Sequence, residues 1–254
     1  MMYFGIPLRS KKASVDWGRV TTLFTHTLKS ILNQTDPDFR VIVACHEIPG
    51  TNYNSDKRIE FIQVDCPYPR NLYEQMSDKG YKVHSIGKRI GEYGGGFTMI
   101  VDADDLISKH IVSFVKRHDE NKFGWYIDKG YILYLDKERL NFAPHFPSGS
   151  NSIINYTMDQ LPKDLKDAWR PSQPGNDFII TMGHSTKVKI EACNTMGRPL
   201  RPIGFEAAIY VLGTGENHST ISGFRSPIRS FLDLTITRRR FSNKIKDEFG
   251  IDWI

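Results

Sequence analysis

The chain is poor in cysteine. Cys45, Cys66 and Cys193 are the only three in 254 residues. An odd number with no close spacing argues against a disulfide framework and against a Cys-based zinc motif. No apolar run reaches the length that crosses a bilayer. The amino-terminal MMYFGIPLRSKK places its basic residues after a short apolar run, whereas a signal peptide places them before a longer one. The expected compartment is therefore the reducing cytoplasm. There is no internal repeat, low-complexity tract or clear linker, so one domain over residues 1–254 is expected. No glycine-rich loop opens a helix: Gly94, Gly95 and Gly96 precede a strand-like run, so the phosphate-cradling geometry is missing. The net charge of +5 is mild. Much of the excess lies in Arg238, Arg239, Arg240, Lys244 and Lys246, with no RNA- or DNA-binding motif beside it, which sets nucleic acid aside as a partner.

What is present suits a packed core. Hydrophobic residues make up 39% and aromatics 12%, which excludes a disordered chain. The first half alternates strand and helix signals. Strands are expected at Tyr3–Leu8, Arg40–Cys45, Ile59–Val64 and Phe97–Val101. Helices are expected at Trp17–Gln34 with Asp16 as its cap, at Asp78–Gly91, and at Ile107–His118. That order implies an α/β fold: a doubly wound, mostly parallel sheet with right-handed crossovers. The second half changes texture. Gly124–Asp128 and Tyr131–Asp136 read as an antiparallel hairpin turning at Lys129-Gly130. Asn141–Asn155 reads as loop with a short edge element, Phe178–Met182 as a strand, Thr186–Met196 as a helix, and Gly213–Gly223 as a polar loop. Phe205–Leu212 is apolar and fits strand or helix.

The stretch FTMIVDADD, Phe97–Asp105, carries the chemistry. A buried strand ends in three carboxylates. Alternation places Asp102 and Asp104 on one side of the extended chain, at the strand end where open α/β sheets bind ligands. Two such carboxylates repel unless a cation neutralises them, and hard oxygen ligands suit Mg²⁺ or Mn²⁺ shared with a phosphate. The plainer reading is a turn in which Asp105 caps the next helix. One aspartate satisfies that reading, and three do not.

The opening YFGIPLRS, the helix ending ILNQT, the strand FRVIVACHE and the strand ending in DADD resemble family-2-type glycosyltransferases of the GT-A fold. Within that family the chain looks closest to bacterial rhamnosyl- and related sugar transferases. The resemblance covers roughly residues 3–120. It implies a nucleotide-sugar-binding half over about 1–120 and an elaborated acceptor half over about 121–254. It also implies Mn²⁺ or Mg²⁺ as cofactor, a nucleoside diphosphate sugar as donor and a glycan or lipid-linked acceptor. By position, Ile6, Pro7, Leu8 and Arg9 would border the nucleobase and ribose, as would His46 and Glu47. Asp65 would contact the base, and Lys88 or Arg89 the diphosphate. Asp102 would lie near ribose or metal, and Asp104 would be the chief metal ligand. The family's late loop of the type His-Gly-x-Asn-x-Ser here reads Thr214-Gly215-Glu216-Asn217-His218-Ser219, without the leading histidine.

An inverting transfer needs a base for the acceptor hydroxyl. Glu206, a carboxylate in an apolar stretch, and Asp177, in a loop before a strand, are the candidates. Their plainer readings are a surface partner of Arg201 and a turn aspartate. His184 and His218 fit a metal ligand, a phosphate donor or a structural histidine. Trp125, Tyr126, Tyr131 and Tyr134 fit a sugar platform or, more commonly, sheet packing. The basic and apolar segment Ser230–Ile254 fits packing on the domain first, and contact with an anionic membrane face second. A sugar nucleotidyltransferase is the nearest alternative enzyme, but IPLRSKKAS after the first strand has no glycine. A non-catalytic nucleotide- or glycan-binding protein on the same scaffold is the alternative outside enzymes.

Overall fold

The computed structural model describes residues 1–165, 178, 186–216 and 238–254. Among these residues the main sheet has seven strands. β1 (Met2–Pro7), β2 (Phe39–Cys45), β3 (Ile59–Gln63) and β4 (Gly95–Ile100) run parallel in the order β3-β2-β1-β4. β9 (Ser152–Thr157) pairs antiparallel with β4. β6 (Gly124–Tyr126) and the two-residue β10 (Arg201–Pro202) follow outward from it. The sheet is therefore mixed but mostly parallel, the α/β architecture expected from the alternation of strands and helices.

Both faces are covered, as a parallel sheet requires. Helix α1 (Trp17–Leu32) turns Val20, Phe24, Leu28 and Ile31 onto Phe4, Ile6, Val41 and Val43. The short α3 (Ile111–Arg117) adds Ile111, Val112 and Val115 to the same cluster. On the opposite face α2 (Leu72–Glu92) sets Val83, Ile86 and Ile90 against Tyr3, Ile42 and Ala44. Burying each such side chain contributes roughly 1.5–3 kcal/mol before conformational entropy is subtracted. Asp16 caps α1 as expected, accepting from the Arg19 backbone N–H.

A second sheet of five strands has the order β12-β8-β7-β11-β5. These are β5 (Leu106–Ile107), β7 (Gly130–Tyr134), β8 (Arg139–Ala143), β11 (Ala208–Leu212) and β12 (Arg238–Arg239). Phe249, from α5 (Asn243–Phe249), and Ile251 pack with Leu106, Leu133, Leu140 and Val211 beneath it. A further helix, α4 (Thr186–Thr195), places Cys193 against the α2 side of the main sheet.

Several expectations are corrected. The helix expected from Ile107 begins at Ile111, because Leu106 and Ile107 pair with Ile209 and Ala208 of β11. The Ile107 N–H donates to Ser30 Oγ. The expected hairpin is split between sheets: β6 pairs with β9, and β7 with β8. The segment 141–155, read as loop, supplies the end of β8 and most of β9. Helix α2 starts at Leu72 rather than Asp78, because Asn71 caps it by accepting from the Glu74 N–H. Strand β4 starts at Gly95, inside the glycine run. Gly95 has φ +84°, and a Cβ there would lie 2.3 Å from the Tyr156 carbonyl. Of the strand expected at 178–182, only Phe178 is described, and it is helical.

Candidate active site

The carboxyl ends of β1 and β4 open into a cavity of about 270 Å³. Pro7 at the end of β1 and Leu8 and Arg9 just after it line one side. Asp102, Ala103 and Asp104 line the other from a turn after β4, closed by the Asp105 N–H donating to the Asp102 carbonyl, rather than from the extended run expected. Helix α2 contributes Asp78, Lys79 and Lys82, while Tyr210 and Glu216 close the β11 side. The β4 strand supplies carboxylates and the polar face of α2 supplies ammonium groups, so charges of both signs meet over an apolar floor.

The three aspartates have separate duties. Asp102 Oδ1 accepts from Lys79 Nζ at 2.5 Å, and its backbone N–H donates to Ser150 Oγ at 2.8 Å. Asp105 is fully buried and turned away from the cavity. Its carboxylate accepts from Ser148 Oγ, from Ser150 Oγ at 2.6 Å and from the Val211 N–H at 3.3 Å. It therefore joins the strand end to the loop 148–150 and to β11, and it does not cap α3, whose cap residue is His110. Asp104 remains at the cavity wall. Burial and the neighbouring Asp102 charge push its carboxyl up to about 7. Burial also raises Asp105 well above the usual carboxylate range, with Asp104 and Asp102 adding to the shift. Burial alone would lower the Lys79 ammonium, but Asp102, Asp104 and Asp105 outweigh it and the net shift is upward.

Burial and the Asp102 charge disfavour the ionised form of Asp104, against the opposing pull of Lys79 and Arg9. An all-oxygen donor set of two neighbouring carboxylates fits a hard divalent cation such as Mg²⁺ or Mn²⁺. Asp104 would hold it, together with Asp102. Asp105 is committed to its three hydrogen bonds.

The loop 148–152 is clamped from its other side. Lys189 of α4 is buried and donates to the Gly149 carbonyl at 3.2 Å, Asn151 Oδ1 at 2.7 Å and Ser152 Oγ at 3.2 Å. Burial pulls its ammonium down to about 7. Gly149 is consequently pressed against the site: a Cβ there would lie 3.0 Å from Asp102 Oδ2. Across the cavity Arg9 Nη1 donates to Glu216 Oε2 at 2.6 Å. The other oxygen of Glu216 accepts from the Asp16 N–H at 2.7 Å, at the amino end of α1. Arg19 donates to the Thr214 carbonyl at 3.0 Å.

The residues expected from sequence are not all gathered here. Pro7, Leu8, Arg9, Asp102 and Asp104 line the cavity. His46 and Glu47 lie beside it: His46 stacks on Tyr68 with centroids 4.5 Å apart, and Glu47 accepts from the Tyr68 hydroxyl and the Lys11 N–H. Asp65 and Lys88 border a separate, shallower hollow with Tyr81. Lys88 and Arg89 pair with Glu92, and Arg89 also with Glu60. Glu206 stands before β11, at the end away from Glu216, and does not line the cavity. Asp177, His184 and His218 lie outside the described residues. Trp125 is buried among Phe97 and Phe114, and Tyr131 packs on Phe142 and Phe249, so both serve the sheets. Sequence reasoning missed Lys79, Lys82, Lys189 and Glu216. The α2 pair had a signal: Asp78, Lys79 and Lys82 cluster on one polar stripe of a helix whose other face is apolar.

No family model and no curated protein matches the chain. Among solved structures it is similar to residues 1–349 of S. aureus TarS, with 13% identity over 83% of this chain and 60% of that one, at a TM-score of 0.42. A longer S. aureus TarS structure gives 14% identity over 83% and 36%, at 0.45. An active-site mutant of LgtC gives 12% over 98% of this chain and 100% of that one, at 0.42. These neighbours are glycosyltransferases. The chain spans 60% of the first and 36% of the second. Likeness of this degree assigns this chain neither an activity nor a substrate, which must be read from its own residues.

Proposed function

We propose that the chain is a GT-A glycosyltransferase. In this reading it moves a hexosyl or deoxyhexosyl group from a nucleoside diphosphate sugar to a hydroxyl of a glycan or lipid-linked acceptor, with inversion, in polysaccharide or surface-glycan assembly. The observation that carries the reading is the cavity itself. Carboxylates at the end of β4 face the ammonium of Lys79 and the guanidinium of Arg9 beside the end of β1. That is a place for a diphosphate and its counter-ion at the carboxyl edge of a parallel sheet. The parallel order β3-β2-β1-β4 followed by an antiparallel strand supports it.

Pro7 and Leu8 give the nucleoside an apolar wall. Arg9, Lys79 and Lys82 offset the diphosphate charge. A divalent cation bound at Asp104 and Asp102 would supply further neutralisation of the leaving diphosphate. Asp105 keeps the strand end in register with β11 and the loop 148–150, which fixes where Asp102 and Asp104 point. The acceptor hydroxyl passes its proton to a base on the acceptor side. The two carboxylates expected from sequence, Glu206 and Asp177, are the candidates for that base.

The test is a thermal-shift series with UDP, GDP, dTDP and CMP, each with and without Mn²⁺. One nucleotide should stabilise the protein in a Mn²⁺-dependent way, and Asp104→Asn should abolish that shift. Transfer should then follow with the matching sugar nucleotide and vanish in whichever of Glu206→Gln and Asp177→Asn removes the base. Metal-dependent binding with no turnover toward any acceptor would favour a binding protein on this scaffold. Absence of any nucleotide shift would overturn the reading.

A further inference from the structure

Beside the cavity, on the far side of Asp78, lies a cluster that the proposed transfer does not use. His46 follows β2, Cys66 follows β3 and Asp78 sits in α2, and all three are buried. One ligand-capable atom of each lies within 4.8 Å of those of the others. Without an ion the Cys66 thiol donates to Asp78 Oδ1 at 3.7 Å and lies 3.5 Å from His46 Nε2, while Asp78 Oδ1 is 3.7 Å from His46 Nδ1. The imidazole is already oriented. Its Nε2 is 2.9 Å from the Cys66 carbonyl, a contact that makes Nε2 the protonated nitrogen and leaves a lone pair on Nδ1. That buried Nδ1 has no hydrogen-bond partner, and it faces a carboxylate oxygen, which also offers only lone pairs.

Two acceptors facing each other in a buried place call for a proton or a cation between them. A ring N–H held by a backbone carbonyl, with the opposite nitrogen free, is the arrangement that metal-ligating histidines adopt. We propose that His46, Cys66 and Asp78 bind a zinc ion, at a site separate from Asp102 and Asp104. Tetrahedral zinc with bonds of about 2.0–2.3 Å sets its ligand atoms roughly 3.3–3.7 Å apart, so the Asp78 separations need little adjustment. The nitrogen, sulfur and carboxylate set suits zinc rather than the hard cation of the β4 carboxylates. Lys82 donates to Asp78 Oδ2 at 2.7 Å and leaves Oδ1 for the metal. On binding, the Cys66 thiol gives its proton to solvent and the thiolate bonds the ion, while water completes the fourth position. The shallower hollow reaches Cys66 and the candidate-site cavity reaches Asp78, so the cluster has an entry path. The bound ion would tie the end of β2 and the chain after β3 to α2, fixing the wall that carries Asp78 and Lys82.

The experiment is Co²⁺ and Zn²⁺ titration of the chelator-stripped full chain. Co²⁺ should give a thiolate charge-transfer absorption at one equivalent, displaced by Zn²⁺. Cys66→Ser should lose the band and weaken Zn²⁺ about tenfold or more. Asp104→Asn should keep both. His46→Gln serves as a second probe, with circular dichroism confirming that each variant is folded. No thiolate band in the wild type would overturn the proposal. So would a band that survives Cys66→Ser, which would belong to Cys45 or Cys193, or one lost in Asp104→Asn.

Discussion

Lys79 and Asp102 meet at 2.5 Å across the cavity, so one carboxylate of the Asp-rich strand end carries its own counter-ion. The ammonium occupies the neighbourhood in which a divalent cation would act, and the two positive charges oppose each other. Removing the ammonium as Lys79→Met should therefore strengthen Mn²⁺ binding several-fold. It should also weaken the nucleoside diphosphate about tenfold, which is about 1.4 kcal/mol. Calorimetric titration of each ligand separately checks both. Weaker Mn²⁺ in the variant would show that Lys79 supports the metal and does not compete with it.

Asp104 should leave a signature in the pH dependence of stability. Its folded value is raised from 3.8 to about 7, so between those values the folded state holds a proton that the unfolded state releases. The raised group contributes stability that is fully present below the unfolded value and lost as pH climbs to about 7. Metal-free protein should melt at a higher temperature near about pH 5 than near about pH 7.5, and Asp104→Asn should flatten the slope. Mn²⁺ affinity should rise over the same interval, because the cation must displace that proton. Melting curves across pH for both proteins decide it, and parallel slopes would remove Asp104 as the cause.

Gly149 tests how closely the loop 148–152 sets the carboxylate. A Cβ there would lie 3.0 Å from Asp102 Oδ2, inside ordinary contact distance. Gly149→Ala should push Asp102 off Lys79 and cost about tenfold in nucleotide or Mn²⁺ affinity, since small displacements at such sites are expensive. The melting temperature should move little, because the added methyl meets a side chain at a cavity wall rather than backbone. A large stability loss with unchanged affinity would place the clash elsewhere.

The sequence was most legible where one interaction dominates. RVIVAC and FTMIV are buried apolar runs bounded by polar breaks, so their strands emerge from pattern alone. Asp16 and the Val20, Phe24, Leu28 stripe define α1 for the same reason. SIINYT was not legible, because serine and asparagine surround it and its strand status comes from pairing with Gly95–Thr98 of β4. The β6 and β7 runs gave a hairpin signal, yet no local feature says that neighbouring strands join different sheets. In the site, Asp102 and Asp104 announced themselves by standing together after a buried apolar run, and Arg9 came from the family resemblance. Lys79, Lys189 and Glu216 act through tertiary contacts across 23, 38–40 and 207 positions, and spacing carries no trace of such meetings.

Glu216 is the last described residue before 217–237, and it bonds two separate segments. Its side chain is only 6% exposed, against 20% for Arg9. One oxygen takes the Arg9 guanidinium and the other the Asp16 N–H beside the positive end of α1. Glu216→Gln keeps the shape and an acceptor but removes the charge that faces the partly buried Arg9. A fully buried pair broken in this way costs about 3–5 kcal/mol. The partial exposure of Arg9 reduces that to about 1–3 kcal/mol. At roughly 2–4 °C per kcal/mol for a chain of this size, the melting temperature should fall by several degrees, and more in low salt than in high salt. Arg9→Met in the same background should restore part of the loss, because it removes the charge that Glu216 had offset. A double-mutant cycle read by thermal melting measures the coupling, and additive losses would mean that the two side chains do not stabilise each other in solution.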